Sequence, residues 1–163
     1  MDFGSLYRRH AGDVFRFALY LSGNYAQAED IAAETFARAW VGRDRIRAGT
    51  VKAYLLTIAR NLYRDQVKSA RARGSSVDAA AERVHAGADP EMAATHSQQL
   101  TLVLTALARL PEQDREVLSL AAIEELPYEQ IAATLGVSVG AVKVRIHRAR
   151  LKLNRLLDGK EHP

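Results

Sequence analysis

The stretch YEQIAATLGVSVGAVKVRIHRARLKLNRLL, residues 128–157, predicts two helices joined by a tight turn. The apolar face of the first, short helix consists of Ile131, Ala132 and Leu135. Gly136 follows directly, where a left-handed residue ends a helix at little cost. Ser138 then offers a hydroxyl as the N-cap of a second helix that begins at Val139. The stretch therefore predicts a helix-turn-helix.

The second helix is amphipathic and basic. Its apolar stripe, at spacings of four, three, four and three residues, consists of Val142, Ile146, Ala149, Leu153 and Leu156. The residues that point away from this stripe are Val144, His147, Arg148 and Leu151, with Lys143, Arg145 and Arg150 on the flanks. Between Val139 and Arg155 there are six Lys or Arg residues and no Asp or Glu. The helix therefore presents a continuous positive surface opposite its apolar stripe.

Such a helix fits the major groove of DNA, with central side chains at base edges and flanking cations near phosphates. A basic amphipathic helix alone could equally be a solvated surface or contact an acidic neighbour. The turn with Gly136 and Ser138, together with the short apolar helix before it, favours DNA binding. The base-reading residues predicted are Lys143, Val144, His147 and Arg148, and the phosphate contacts are Arg145 and Arg150.

The longer run DREVLSLAAIEELPYEQIAATLGVSVGAVKVRIHRARLKL, residues 114–153, resembles region 4 of the extracytoplasmic-function (ECF) sigma factors of the sigma-70 family. The resemblance implies recognition of the −35 element of bacterial promoters. It also implies partnership with core RNA polymerase through the β flap. In this family Gly is frequent where this chain has Glu125, and Ser is frequent where it has Val144.

Residues 28–40, AEDIAAETFARAW, form a predicted helix with acidic side chains in its first half. Without any resemblance, the simplest prediction is that Asp30 and Glu34 are solvated carboxylates, which interact favourably with the positive N-terminal end of the helix dipole. The segment is similar to sigma region 2.2, which docks on the clamp helices of the polymerase β′ subunit. The resemblance implies that Asp30 and Glu34 bind the polymerase, although Ala33 stands where the family commonly has Gln.

Residues 42–50 break the helical periodicity with a basic loop, and a basic helix follows it. Cations beside an aromatic ring suit single-stranded DNA, because a ring can stack on an unpaired base. Tyr54 alone is more often a core-edge residue. The resemblance to regions 2.3 and 2.4 implies −10 DNA binding by Arg43, Arg45, Arg47, Lys52, Tyr54, Asn61 and Arg64.

Residues 74–90, GSSVDAAAERVHAGADP, are poor in large apolar side chains and have a linker composition. The expected organisation is all-α with two small helical domains: residues 1–73, like sigma domain 2, a flexible linker at 74–97, and residues 98–160, like sigma domain 4. Both resemblances follow the order of the family and together cover nearly the whole chain.

The composition excludes several classes of function. The chain has 163 residues, a formal net charge of +4 and no cysteine, so disulfides and thiolate metal sites are excluded. No apolar run resembles a signal peptide or a membrane span, so a cytoplasmic location without membrane insertion is expected. No metal, cofactor or catalytic motif is visible, and an enzyme is not expected.

The predicted function is that of a sigma factor, which directs core RNA polymerase to promoter DNA. The alternative is a stand-alone helix-turn-helix regulator, which would dimerise to read two half-sites. Residues 28–40 and the basic loop argue against that alternative. Regulation in the family, together with the lack of any sensor segment, also implies an anti-sigma factor as a partner.

Overall fold

The computed structural model describes residues 2–74 and 98–159, and within these ranges it contains seven α-helices and no strand. In chain order they are α1 Phe3–Ser22, α2 Tyr25–Val41, α3 Val51–Ala72, α4 Gln98–Arg109, α5 Glu112–Leu118, α6 Tyr128–Leu135 and α7 Val139–Leu157. The predicted all-α fold is confirmed. The predicted linker lies, except for Gly74, outside the described residues.

Helices α1, α2 and α3 pack on one another as a three-helix unit. The Asp2 carboxylate caps α1 at the Ser5 amide, and the Asn24 side chain caps α2 at the Gln27 amide. Between α1 and α2, Gly23 has φ 67° and ends the first helix in the left-handed region. The turn is thus closed by local hydrogen bonds, and it brings α2 back against α1.

Helices α4 to α7 form the second unit, in which α7 packs against α5 and α6. Pro111 immediately precedes α5. The last turn of α5 widens into a π-helical turn, Ser119–Ile123, closed by a hydrogen bond from the Glu124 amide to the Ser119 carbonyl oxygen. Glu125 follows with φ 55°, the one positive φ of a non-glycine residue in the described part of the chain. This left-handed conformation accounts for the glycine that the family often has there.

The two units lie against each other. Helix α1 contacts α4 and α5, and α3 contacts α6, so that one hydrophobic core is continuous through both. Among the described helices, none combines the length and the apolar character needed to cross a membrane.

Candidate nucleic-acid interface

Helix α7 has the orientation that its sequence predicts. Gly136 ends α6 with φ 68°, and the Ser138 hydroxyl accepts a hydrogen bond from the Ala141 amide at the start of α7. Val142, Ile146 and Ala149 are buried against the rest of the second unit. The predicted reading face, Lys143, Val144, His147 and Arg148, is exposed together with Arg150 and Leu151. The face of α7 that is predicted to contact DNA is therefore open to solvent in this structure.

Arg145 differs from the other predicted DNA-binding cations of α7, which are exposed. It is half-buried and lines a groove of about 480 Å³ between α3, α5 and α7. Arg64, one of the residues predicted to bind −10 DNA, lines the same groove with Lys68 and Arg71. The fold thus brings together two cations that the sequence assigns to different DNA elements.

The basic loop, residues 42–50, consists largely of two short 3₁₀ turns, Arg43–Arg45 and Ala48–Thr50. Arg43, Arg45 and Arg47 are all exposed. The Arg43 guanidinium lies 4.0 Å from the centre of the Trp40 ring and donates a hydrogen bond to the Trp40 carbonyl oxygen. Arg43 therefore braces the loop at its start, while Arg45 and Arg47 make no ion pair among those found in the described residues.

Tyr54 and Asn61 lie on one side of α3, because they are seven residues apart in a helix of about 3.6 residues per turn. Asn61 is exposed, and Tyr54 is half-buried beneath the loop. The Tyr54 hydroxyl lies so close to the Gly42 backbone that a Cβ atom there would approach it to 2.8 Å. Tyr54 consequently supports the loop while its side chain remains partly exposed.

Lys52 lies on the opposite side of α3, about 180° around the helix from Asn61. Its ammonium group donates to the Glu124 carbonyl oxygen at 2.8 Å and lies 3.3 Å from Oε1 of the Glu124 carboxylate. The residues predicted to bind −10 DNA do not therefore form one surface here, and Lys52 is engaged by the second unit.

Glu124 is the centre of a polar cluster that the sequence does not indicate. Its side chain is fully buried, and it accepts two hydrogen bonds from Arg16, Nε to Oε2 and Nη2 to Oε1, both at 2.8 Å. These hydrogen bonds raise the pKa of the Arg16 guanidinium above its ordinary value. Asp13 also accepts from Arg16 Nη2 at 2.9 Å, and lies 4.0 Å from the Lys52 ammonium group. No local sequence pattern signals this cluster, because its members come from α1, α3 and the end of the π-helical turn.

A second polar cluster joins α3 to α5 and α6. Arg60 forms an ion pair with the buried Glu116 and also donates to the Thr134 carbonyl oxygen at 3.1 Å. The Thr57 and Thr134 hydroxyls are 2.8 Å apart. Burial raises the pKa of Glu116 above its usual value, although the charge of Arg60 opposes that change. The contact between the units is thus specified by charged and polar pairs and not by apolar packing alone.

The predicted polymerase-docking residues lie on the solvent side of α2. Asp30 and Glu34 are both exposed, one helical turn apart. Glu34 pairs with Arg38 at 3.1 Å, and both side chains are about half exposed, so this pair contributes little to stability. Beyond them, Trp40 and Val41 are exposed at the end of α2. The surface therefore combines acidic and apolar groups, as interfaces with other proteins commonly do.

The site has the properties of a binding surface. Within the described residues, no cluster of three or more His, Cys, Asp or Glu side chains is arranged to hold a metal ion. The exposed groups on α2, the loop and α7 are suited to electrostatic contacts and base contacts.

Two family models match the chain, one in each helical unit. Residues 6–73 match the model of sigma-70 region 2, and residues 100–153 match that of sigma-70 region 4. The first match runs from within α1 to the end of α3 and includes the basic loop, and the second contains α6 and most of α7.

Two curated relatives are similar along nearly the whole chain. The ECF RNA polymerase sigma factor SigE of Mycolicibacterium smegmatis is 39% identical over 154 residues, which are 93% of this chain and 60% of the relative. The ECF RNA polymerase sigma factor SigL of Mycobacterium tuberculosis is 37% identical over 160 residues, 93% of this chain and 89% of the relative. The chain thus spans less than two thirds of the first relative and most of the second.

A solved structure shows the same arrangement of helices. The sigma factor RpoE of Bartonella quintana, determined in complex with the anti-sigma factor NepR, has a TM-score of 0.78 and 30% identity. The match covers 98% of this chain and 99% of that one, so it includes both helical units.

Proposed function

The chain belongs to the ECF sigma factors of the sigma-70 family, and from this premise we propose that it directs bacterial RNA polymerase to a specific set of promoters. The single observation that carries the proposal is the presence, in one chain and in family order, of region 2 and region 4, the latter with an exposed basic recognition helix. Sigma factors are specificity factors and not enzymes, so the polymerase performs the chemistry. The proposed place of action is the cytoplasm, where the polymerase works.

The two helical units have different proposed binding roles. We propose that residues 1–73 dock on the polymerase and bind the −10 element, that 74–97 form the linker, and that 98–160 bind the −35 element. Docking is assigned to Asp30 and Glu34 on the β′ clamp helices, and the second unit is assigned to the β flap. The exposed acids and the exposed α7 face support this assignment.

For the −35 duplex, we propose that α7 enters the major groove. Lys143, Val144, His147 and Arg148 then lie at base edges, and Arg145 and Arg150 lie near phosphates. Val144 is 48% exposed in the middle of this face, so an apolar contact with a thymine methyl group is available where the family often has a hydroxyl.

Reconstitution with core polymerase tests the proposed function directly. The full chain should co-elute with core enzyme in gel filtration and should confer transcription from promoters selected out of a random library. A stand-alone helix-turn-helix regulator would instead bind its DNA as a dimer without polymerase. Failure to bind the core enzyme, combined with a specific DNA shift by the free chain, would replace the sigma assignment with the regulator.

For the −10 element, we expect Tyr54→Ala to impair promoter opening more than closed-complex binding. Stacking of a base on an aromatic ring is worth about 1–3 kcal/mol, and the half-buried Tyr54 ring lies at the edge of the basic loop. Permanganate reactivity of −10 thymines measures the opening. Tyr54→Phe is the control, since it keeps the ring and should retain the reactivity. If Tyr54→Ala opened promoters like the wild type, Tyr54 would only support the loop.

An anti-sigma factor is the further partner that we propose. The helix arrangement is similar to that of a sigma factor solved with the anti-sigma factor NepR bound. The exposed Trp40, Val41 and Leu151 side chains are apolar surface for which a partner is expected. Affinity capture with the full chain from its native host should recover a protein besides core polymerase. If only polymerase were recovered, both during growth and under stress, the proposal of an anti-sigma factor would be contradicted. The activity of the chain would then be controlled by its synthesis or proteolysis.

A further inference from the structure

The buried Glu124 carboxylate is held as a phosphate group is held in protein–nucleic acid complexes. Arg16 donates from Nε and Nη2 to the two carboxylate oxygens, at 2.8 Å each. The Lys52 ammonium group approaches Oε1 at 3.3 Å, so both cations converge on one oxygen. A bidentate arginine with a second cation is an arrangement that recognises carboxylate and phosphate alike.

The two cations and the carboxylate come from different units. Arg16 is on α1 and Lys52 is at the start of α3, whereas Glu124 follows the π-helical turn of the second unit. With Glu124 in place, two cations face two carboxylates, Glu124 and Asp13, and the site is neutral. Separation of the units removes Glu124 and leaves the three remaining groups of the site, Arg16, Lys52 and Asp13, with a net charge of +1. Arg16 and Lys52, which are partly exposed in the closed chain, would then be more exposed, with Asp13 still holding Arg16 in position.

Lys52 relates this site to the −10 element, because it is one of the residues predicted to bind that strand, although it lies on the opposite side of α3 from Asn61. Lys52 follows directly after the basic loop, residues 42–50, and Val51. In the closed chain the first helix of the helix-turn-helix lies against this loop, where Gln130 Nε2 is 3.5 Å from the Gly49 carbonyl oxygen. The second unit therefore lies against both the loop and Lys52.

We propose that Arg16 and Lys52 form a phosphate-binding site for the promoter strand, which Glu124 occupies in the closed chain. The proposal rests on the proposed function, because it takes the −10 strand as the ligand. DNA phosphate and the Glu124 carboxylate then compete for the same cations. The free sigma factor has a reduced affinity for DNA, and separation of the units exposes the site.

Single-stranded DNA binding by the full chain without polymerase tests this competition. The probe is a short fluorescein-labelled single strand of mixed sequence, followed by anisotropy over a range of salt concentrations. Glu124→Gln removes the charge at nearly constant shape and should lower the Kd by at least about threefold, because a larger fraction of the chain is open. The slope of log K against log salt should steepen by about 0.7 for each phosphate gained.

Glu125→Gln is the matched control, since it removes the same charge from the exposed neighbouring residue. It should leave both the Kd and the salt slope at wild-type values. The double variant Arg16→Gln with Glu124→Gln should lose the gain, because the bidentate cation is then absent. Small-angle scattering reports the opening independently, as a larger radius of gyration of Glu124→Gln than of Glu125→Gln.

Three results would overturn the proposal. They are an expanded Glu124→Gln chain with unchanged DNA affinity, a double variant that binds as tightly as Glu124→Gln, and a Glu124→Gln chain that neither expands nor binds better. In the first case Glu124 would only join the two units. A failure of the proposed function would be recognised separately, since wild-type chain would then not bind core polymerase, whereas these measurements use no polymerase.

Discussion

The variant Asp30→Arg with Glu34→Arg should bind core polymerase at least about 100-fold more weakly than the wild type. Close interfacial charge pairs couple by about 1.5 kcal/mol or more, so two lost pairs amount to roughly 3 kcal/mol, or about two powers of ten in Kd. Both side chains are exposed on α2 and support no buried contact, so the helix should remain intact. Arginine is also a good helix former.

Titration of labelled core enzyme measures this loss, and circular dichroism checks the fold. The matched control is Glu29→Arg with Asp65→Arg, which makes the same change in net charge at two other exposed acids. Glu29 is on α2 itself, about 140° around the helix from Glu34. If the control variant bound as weakly as the docking variant, the effect would be one of total charge, and the interface would lie elsewhere.

Arg148→Ala should weaken binding to the selected promoter by roughly 1–3 kcal/mol, or about 5-fold to 150-fold, and should relax specificity at one base pair. Arg148 is exposed on the face of α7 opposite the buried Val142 and Ile146, where a guanidinium can reach a base edge. Competition between promoter variants on holoenzyme measures the preference at each position of the −35 element.

Arg150→Ala is the comparison variant for Arg148→Ala, because it removes a predicted phosphate contact from the same helix. Arg150 is exposed on the flank and is assigned to a phosphate. Its loss should weaken all promoter sequences alike and reduce the salt slope by about 1. If Arg148→Ala behaved in this uniform way, Arg148 would be a phosphate contact, and α7 would lie in the groove with a different rotation.

The cation whose role changes most between sequence and structure is Lys52. In the sequence it belongs to a basic segment and is grouped with Tyr54 and Asn61. In the fold it lies on the other side of α3 and binds Glu124. Proximity in sequence groups residues that a helix separates, because neighbouring side chains diverge by about 100° per residue.

The sequence alone determined the all-α fold, the helix-turn-helix and which face of α7 is buried. Periodicity and capping are local properties, and the Ser138 cap and the left-handed Gly136 appear as predicted. The segments 28–40 and 114–153 also identified the family, because a motif of residues at fixed spacing can be recognised without knowing the tertiary structure. The exposed positions of Asp30 and Glu34 agree with the same local reasoning.

Only the tertiary structure decided how the two units meet. Arg16, Glu116 and Glu124 look like ordinary surface charges along the chain, and each finds its partner in the other unit. Glu124 and Arg16 are 108 residues apart, and their pairing arises from the packing of α1 against the end of the π-helical turn. A charge becomes buried and paired only when two distant surfaces meet, and no local periodicity encodes that meeting.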